Sequence, residues 1–300
     1  MEHPEFIAPV IMQCFALYYD RRERREQMKF AINLPNFGPF GDPRLMADLA
    51  REAEAAGWDG FFIWDHVMWT DPVNHPVTEP WVTLAAIACA TTRIRLGPMI
   101  TPLPRRRPWQ VARQAVTLDQ LSGGRLALGV GIGGDWFGDY SRFGEPADDR
   151  THGEQLDEAL EVLVGLWSGE PFSYAGKHYT VRDTQFLPKA VQPRIPIWVA
   201  GVWPGTKPFR RAARYDGAAP IGRGGDGDIN PGSIRDLLEY IRPHRVSDRP
   251  FDVVLAGPPR STEEYAAFAA AGATWYQDGF LVNDSPDDVR AHIRRGPPQL

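Results

Sequence analysis

The chain has 300 residues, 43% hydrophobic and 24% charged, with a formal net charge of −5. An acidic balance argues against non-specific binding to nucleic acid or an anionic membrane surface, and no uninterrupted apolar run approaches the length of a membrane span. Two cysteines, Cys14 and Cys89, are too few for a disulfide framework or a thiolate zinc site, which fits a reducing, cytoplasmic setting.

Residues 1–27 read as an N-terminal extension, docked or disordered, ahead of one domain at 28–300. The stretch 6–19 is moderately apolar, but it holds Pro9, follows Glu2 and Glu5, and lacks the basic front of a signal peptide. From Met28 onward strand-like and helix-like segments alternate. Residues 29–34 form the first strand. Asp42-Pro43 then supplies an N-cap and an N1 proline, and Leu45, Leu49 and Ala53 recur at helical spacing until Gly57. The second strand is 61–64, followed by an alanine-rich helix at 81–90 and the third strand at 94–99. Residues 108–121 are helical, and Ser122-Gly123-Gly124 turns the chain into a fourth strand at 125–131. A long helix at 150–167 carries Leu156, Leu160, Leu163 and Trp167 as its apolar stripe.

Residues 172–181 break the alternation with a small β-hairpin, before a fifth strand at 197–199. A helix at 206–215, a sixth strand at 217–220 and a mobile glycine-rich loop at 222–232 come next. A helix at 234–242 and a seventh strand at 252–255 follow. Ser261 and Glu264 make a capping box that opens the helix 262–271, and the eighth strand is 274–277, with a final helix started by Ser285-Pro286. Eight strand–helix units with no mid-chain linker predict an α/β fold, a single (β/α)8 TIM barrel with a small β-hairpin excursion before strand 5. A doubly wound sheet is the alternative.

The apolar second strand ends abruptly in Asp65-His66, and roughly fifteen residues of loop separate it from the helix at 81. In an alternating chain, active sites are built where a strand's C-terminal end opens into a long loop. Asp65 and His66 are therefore the first candidates for chemistry, the bland alternative being an Asp that caps the loop over a packed His. Glu79 either orients that site or begins the next helix. Arg105-Arg106-Arg107 offers a clamp for an anionic substrate or cofactor tail, centred on Arg107, or a solvated loop face. Trp64, Trp136, Trp198 and Trp203 fall near strand ends, where they wall a pocket or fill the core. His75, His152 and His178 show no metal-ligand spacing, so no metal is expected.

Several blocks together resemble the bacterial-luciferase-like family of flavin- and deazaflavin-dependent oxidoreductases. They are Glu79-Pro80-Trp81-Val82-Thr83-Leu84 with Thr91-Thr92-Arg93-Ile94-Arg95-Leu96-Gly97, the run from Gln114 through Leu121-Ser122-Gly123-Gly124-Arg125 to Gly131, Leu166-Trp167-Ser168-Gly169, Pro196-Ile197-Trp198-Val199-Ala200-Gly201, and Arg211-Ala212-Ala213-Arg214-Tyr215-Asp216-Gly217. The resemblance covers nearly everything from Met28 onward.

It implies an enzyme that holds FMN or coenzyme F-420 at the C-terminal mouth of the barrel and transfers hydride to, or oxygenates, a small organic substrate. Homodimers are common in the family. Carried over residue by residue, the acid–histidine pair and its tryptophan become Asp65, His66 and Trp69. A histidine, with an ordinary pKa of about 6.5, suits the proton role. Met99-Ile100-Thr101 falls where the family has a cis non-proline peptide against the cofactor ring. Gly131 and Gly133 end the fourth strand, where glycine permits a flat ring to approach the backbone. Gly131-Ile132-Gly133 departs from the Ser/Thr-x-Asn pattern of the family's FMN monooxygenases. Gly201, Val202 and Trp203, with Thr206, leave a strand for a helix and offer N–H groups to a phosphate. Rival expectations are a non-catalytic flavin-binding barrel and a phosphate-handling lyase or isomerase.

Overall fold

A computed structural model describes residues 28–71, 73–224 and 228–300. The extension at 1–27 lies outside the described residues, as does the centre of the glycine-rich loop at 222–232.

The strands are β1 (Lys29–Leu34), β2 (Gly60–Ile63), β3 (Arg95–Pro98), β4 (Thr101–Pro102), β5 (Leu128–Gly131), the hairpin strands β6 (Phe172–Ala175) and β7 (Thr180–Thr184), then β8 (Ile197–Val202), β9 (Gly217–Ile221), β10 (Asp252–Gly257) and β11 (Trp275–Gly279). The helices are α1 (Pro43–Ala55), α2 (Pro80–Ala90), α3 (Pro108–Leu121), α4 (Asp149–Trp167), α5 (Thr206–Ala212), α6 (Pro231–Ile241), α7 (Thr262–Ala271) and α8 (Pro286–Arg295). Five of these helices begin at proline; in α1, for example, Asp42 accepts the Arg44 N–H as N-cap ahead of Pro43.

The main sheet runs β3-β2-β1-β11-β10-β9-β8-β5-β4, every pair parallel. Its two ends are halves of one stave. β3 pairs with β2, the chain kinks at the cis peptide Met99–Ile100, and β4 pairs with β5. Leu96 also bridges Leu126, so the sheet closes on itself. The closed ring is the expected TIM barrel, and closure removes the doubly wound alternative. The hairpin β6–β7 is antiparallel and docks on α4, where Glu158 accepts the N–H groups of Lys177, His178 and Tyr179.

Two boundaries differ from expectation for identifiable reasons. The fourth stave begins at Leu128 rather than 125, because Arg125 turns outward. Its guanidinium bonds the carbonyls of Ala88, Thr91 and Ile94 at the end of α2. The fifth stave runs on to Val202, because Gly201 and Val202 continue to pair with Pro220 and Ile221.

Strand alternation divides the core in two. Inward positions Ala31, Phe62, Ala127, Trp198, Ala219, Val254 and Trp275 fill the barrel, with the Phe62 and Trp275 rings 5.4 and 5.5 Å from that of Trp198. Outward positions such as Phe30, Ile32 and Leu34 meet the apolar stripes of the helices, among them Leu49 and Ala53 of α1 and Leu156, Leu160 and Leu163 of α4. Each large aliphatic or aromatic side chain so buried contributes about 1.5–3 kcal/mol. The aromatic plug makes the barrel a packed pedestal with its loops above it.

Candidate active site

The loops after β2 and β5 meet over the mouth. Asp65, the first acid after β2, is 3% exposed and fully engaged. Thr101 donates its hydroxyl to one carboxylate oxygen at 2.9 Å, Arg105 donates to the other, and Arg106 spans both at 3.0 and 2.9 Å. Arg106 reaches on to Glu79 at 3.1 Å, and Glu79 caps α2 by accepting the Val82 N–H at 2.8 Å. Asp65, Thr101 and Glu79 are thus a fastening that ties the end of β2 to β4 and the start of α2. Glu79 thus begins the helix and, through Arg106, also joins the Asp65 cluster. Asp65 has no oxygen left for a ligand.

His66 is held differently. Its backbone N–H and carbonyl both bond the side chain of buried Asn36, at 3.1 and 2.9 Å. Its ring Nδ1 lies 3.0 Å from Asp139 Oδ2. Asp139 is 1% exposed and also accepts the Val67 N–H at 2.9 Å and an Arg105 N–H at 3.3 Å. Burial opposes ionisation of Asp139, but the hydrogen bonds from His66 and Val67 and the nearby cationic groups outweigh it, holding the carboxyl below the usual carboxylate range. An ionised Asp139 requires a donor from Nδ1, so the imidazole proton sits there and Nε2 is the exchangeable position. This assignment follows from the partner's chemistry.

An aromatic wall stands beside the imidazole. Trp69 stacks on Phe37 with ring centroids 4.2 Å apart and an interplanar angle of 13°, and meets His66 edge-on at 5.1 Å. Phe137 lies 4.2 Å from Trp69 on the other side. The buried Trp69 Nε1 has no hydrogen-bond partner within the protein. Trp81 and Trp275 also carry a buried indole N–H without a partner; that of Trp69 belongs to the ring that meets the imidazole.

The remaining expected residues fall in three places. Met99 and Ile100, partly exposed, form the kink between β3 and β4, and their peptide is cis as the resemblance implies. Gly131 and Gly133 leave room for protein: a Cβ at Gly131 would meet Ile100, and one at Gly133, where φ is +71°, would meet Pro102 and the Tyr140 hydroxyl. Their small size seats the kinked stave. Gly201 likewise makes room for Pro208, whose Cβ and Cγ a methyl there would strike. The Trp203 N–H is spent on the Ile221 carbonyl at 2.9 Å, and its ring packs on Phe209 and Tyr240. Val202 and Thr206 are exposed at this turn. Arg107 is exposed on the outer side of the Arg105–Asp65 pair, lining a cavity of about 260 Å³ with Gln110, Gln155, His178 and Tyr179. Trp136 is 78% exposed, its ring beside Gly134. Trp198 belongs to the barrel plug.

Asn36, Phe37, Phe137 and above all Asp139 complete the site without having been singled out from sequence. Asp139 lies 73 residues beyond His66. The available signal was the second long loop on the same barrel face, which carries Asp135 and Asp139 in an aromatic, glycine-punctuated run.

Fold and site together define a (β/α)8 barrel with a buried carboxylate–imidazole pair and an aromatic wall at its C-terminal mouth. The chain belongs to the luciferase-like monooxygenase family, which its residues 28–295 match. An uncharacterised protein of Mycobacterium tuberculosis is 37% identical over 185 residues, which is 56% of this chain and 62% of that one. The F-420-dependent glucose-6-phosphate dehydrogenase of Beutenbergia cavernae is 34% identical over 166 residues, 54% of this chain and 48% of that enzyme. Among solved structures, the coenzyme F-420-dependent tetrahydromethanopterin reductase of Methanopyrus kandleri superposes with a TM-score of 0.72 at 17% identity, covering 90% of this chain and 98% of that one.

Proposed function

We propose that the chain is an oxidoreductase that binds coenzyme F-420, or FMN, across the barrel mouth and exchanges hydride with a small organic substrate. The observation that carries this reading is the His66–Asp139 pair beside the unpartnered indole N–H of Trp69. A group that must gain or lose a proton and a donor that stabilises a developing oxyanion are what a carbonyl–alcohol interconversion asks of the protein. The similarity to an F-420-dependent dehydrogenase supports hydride transfer, and so does the lack of a Ser/Thr-x-Asn pattern at Gly131-Ile132-Gly133.

The residues present fit such a cofactor. A planar ring needs a broad, partly apolar mouth, and the partly exposed Trp64, Met99, Ile100 and Ala200 provide one above the plug. The phosphate end is assigned to the turn at 202–206, where the Thr206 hydroxyl and the first-turn N–H groups of α5 supplement a Trp203 N–H already engaged. When bound, the cofactor supplies the hydride. His66 Nε2 takes or returns the proton, Asp139 keeps the imidazole in the productive tautomer, Trp69 orients the reacting oxygen, and Asp65 keeps the loop in place. Single-turnover reduction or oxidation of bound F-420 with a panel of alcohols and aldehydes tests this. His66→Ala is expected to slow the redox step by about 10²–10⁴-fold while leaving cofactor affinity within a few-fold. Unchanged turnover in that variant would remove His66 from the proton role, and a wild type that binds cofactor without turnover would support the non-catalytic barrel instead.

A further inference from the structure

The barrel interior contains an amide pair with no part in the steps above. Asn33 lies two residues beyond Ala31 on β1, and Gln277 two residues beyond Trp275 on β11. Both therefore share the inward orientation of the aromatic plug and lie one layer nearer the mouth. Asn33 Nδ2 donates to Gln277 Oε1 at 2.9 Å. Asn33 Oδ1 and Gln277 Nε2 have no partner within the protein, although the two residues are only 3% and 0% exposed. Turning both amides over exchanges the roles of the two residues but still leaves one acceptor and one donor side by side.

On the mouth side of this pair the strands carry small residues. The next inward positions are Gly279 on β11, Ala256 on β10 and Ala200 on β8, all partly exposed. Solvent thus reaches the layer directly above the amides. Beneath them lie Phe62, Trp198 and Trp275, a poor setting for an ion. Arg105 and Arg106, the guanidinium groups nearest the His66 loop, are committed to Asp65 and Asp139.

We propose that Asn33 and Gln277 form the floor of the ligand pocket and read a neutral group with a donor beside an acceptor: the edge of a lactam, imide or primary amide. This rests on the reading of the mouth as the working site. Such an edge has two sources, an amide-bearing substrate or the pyrimidinedione ring of the cofactor.

The test compares the full-length wild type with Asn33→Leu/Gln277→Met, which removes the hydrogen bonds and keeps most of the volume. Calorimetric titration with ε-caprolactam and with cycloheptanone, which lacks the N–H, reads the substrate source without any cofactor. Titration with FMN and F-420 reads the cofactor source. Loss in the variant of an about tenfold preference for lactam over ketone assigns the floor to substrate, and an about tenfold loss of cofactor affinity assigns it to the ring edge. A folded variant that changes neither overturns the proposal; if the double variant does not fold, Gln277→Met alone is read the same way. A wild type that binds neither cofactor defeats the site reading separately, since the lactam comparison does not depend on cofactor.

Discussion

Asp139 decides what His66 can do. The carboxylate is buried, accepts from the ring and from two backbone or guanidinium donors, and is held ionised, so it fixes the imidazole's tautomer. Asp139→Asn keeps the size but offers an amide that can donate to Nδ1, reversing the tautomer; turnover is expected to fall about 10²-fold with cofactor affinity little changed, measured by single-turnover kinetics beside binding titration. The same carboxyl also contributes to stability. Because its folded pKa is depressed, that contribution is present above the ordinary carboxylate pKa of about 3.9 and is lost as pH falls through the lower, folded value. Urea midpoints of the wild type should therefore drop between pH 5 and the most acidic accessible pH by more than those of Asp139→Asn, and equal drops would contradict the assignment. Trp69→Phe preserves the stack on Phe37 and deletes the indole N–H. It should reduce turnover while leaving thermal stability nearly unchanged, as scanning calorimetry would show.

At the scale of elements, the divided stave β3–β4 organises the mouth. Its two halves are fastened by Thr101, Arg105 and Arg106 around Asp65, and glycines opposite give the kink its room. Asp65→Ala would take from the mostly buried Arg105 and Arg106 the carboxylate they share, leaving only Asp139 and Glu79 as ion partners, a change expected to cost about 3 kcal/mol in chemical denaturation. Gly97→Ala should be more severe than an ordinary surface change, since a methyl there would collide with the Ala127 carbonyl across the closing seam of the barrel. The Asp65-His66 dipeptide was legible as a candidate site because a buried strand ended there in two polar groups. The roles within it were not: adjacent residues on an extended backbone point to opposite sides, so Asp65 turned to the arginines of the next loop and His66 to Asp139. Both partners are distant in sequence, and no local periodicity encodes them. The three-arginine run showed the same limit. Its first two members answer the buried Asp65, and Arg107 alone remains on the surface.

For the whole molecule, helix caps and strand lengths carried the fold, because each is a short-range property: Asp42-Pro43, Ser261 with Glu264, and Ser285-Pro286 all begin helices where expected. Barrel closure also followed from the count of strand–helix units. The turn at 202–206 was less legible, since strand β8 outlasts its apolar run and the Trp203 N–H pairs with the Ile221 carbonyl. The glycines at 131, 133 and 201 leave two readings open for one reason: a missing Cβ makes room equally for a ligand or for another part of the chain, and neighbouring side chains lie at the Cβ positions. What the assembled barrel presents is a mouth with an amide pair above its aromatic plug and the His66–Asp139 pair at its rim. The most direct measurement of that arrangement is a fluorescence and absorbance titration of the full-length protein with coenzyme F-420 and, separately, FMN. Saturable one-to-one binding of at least one of them with a Kd on the order of micromolar is expected, equivalent to about 8 kcal/mol. Binding of neither would contradict the assignment of the mouth as a cofactor site.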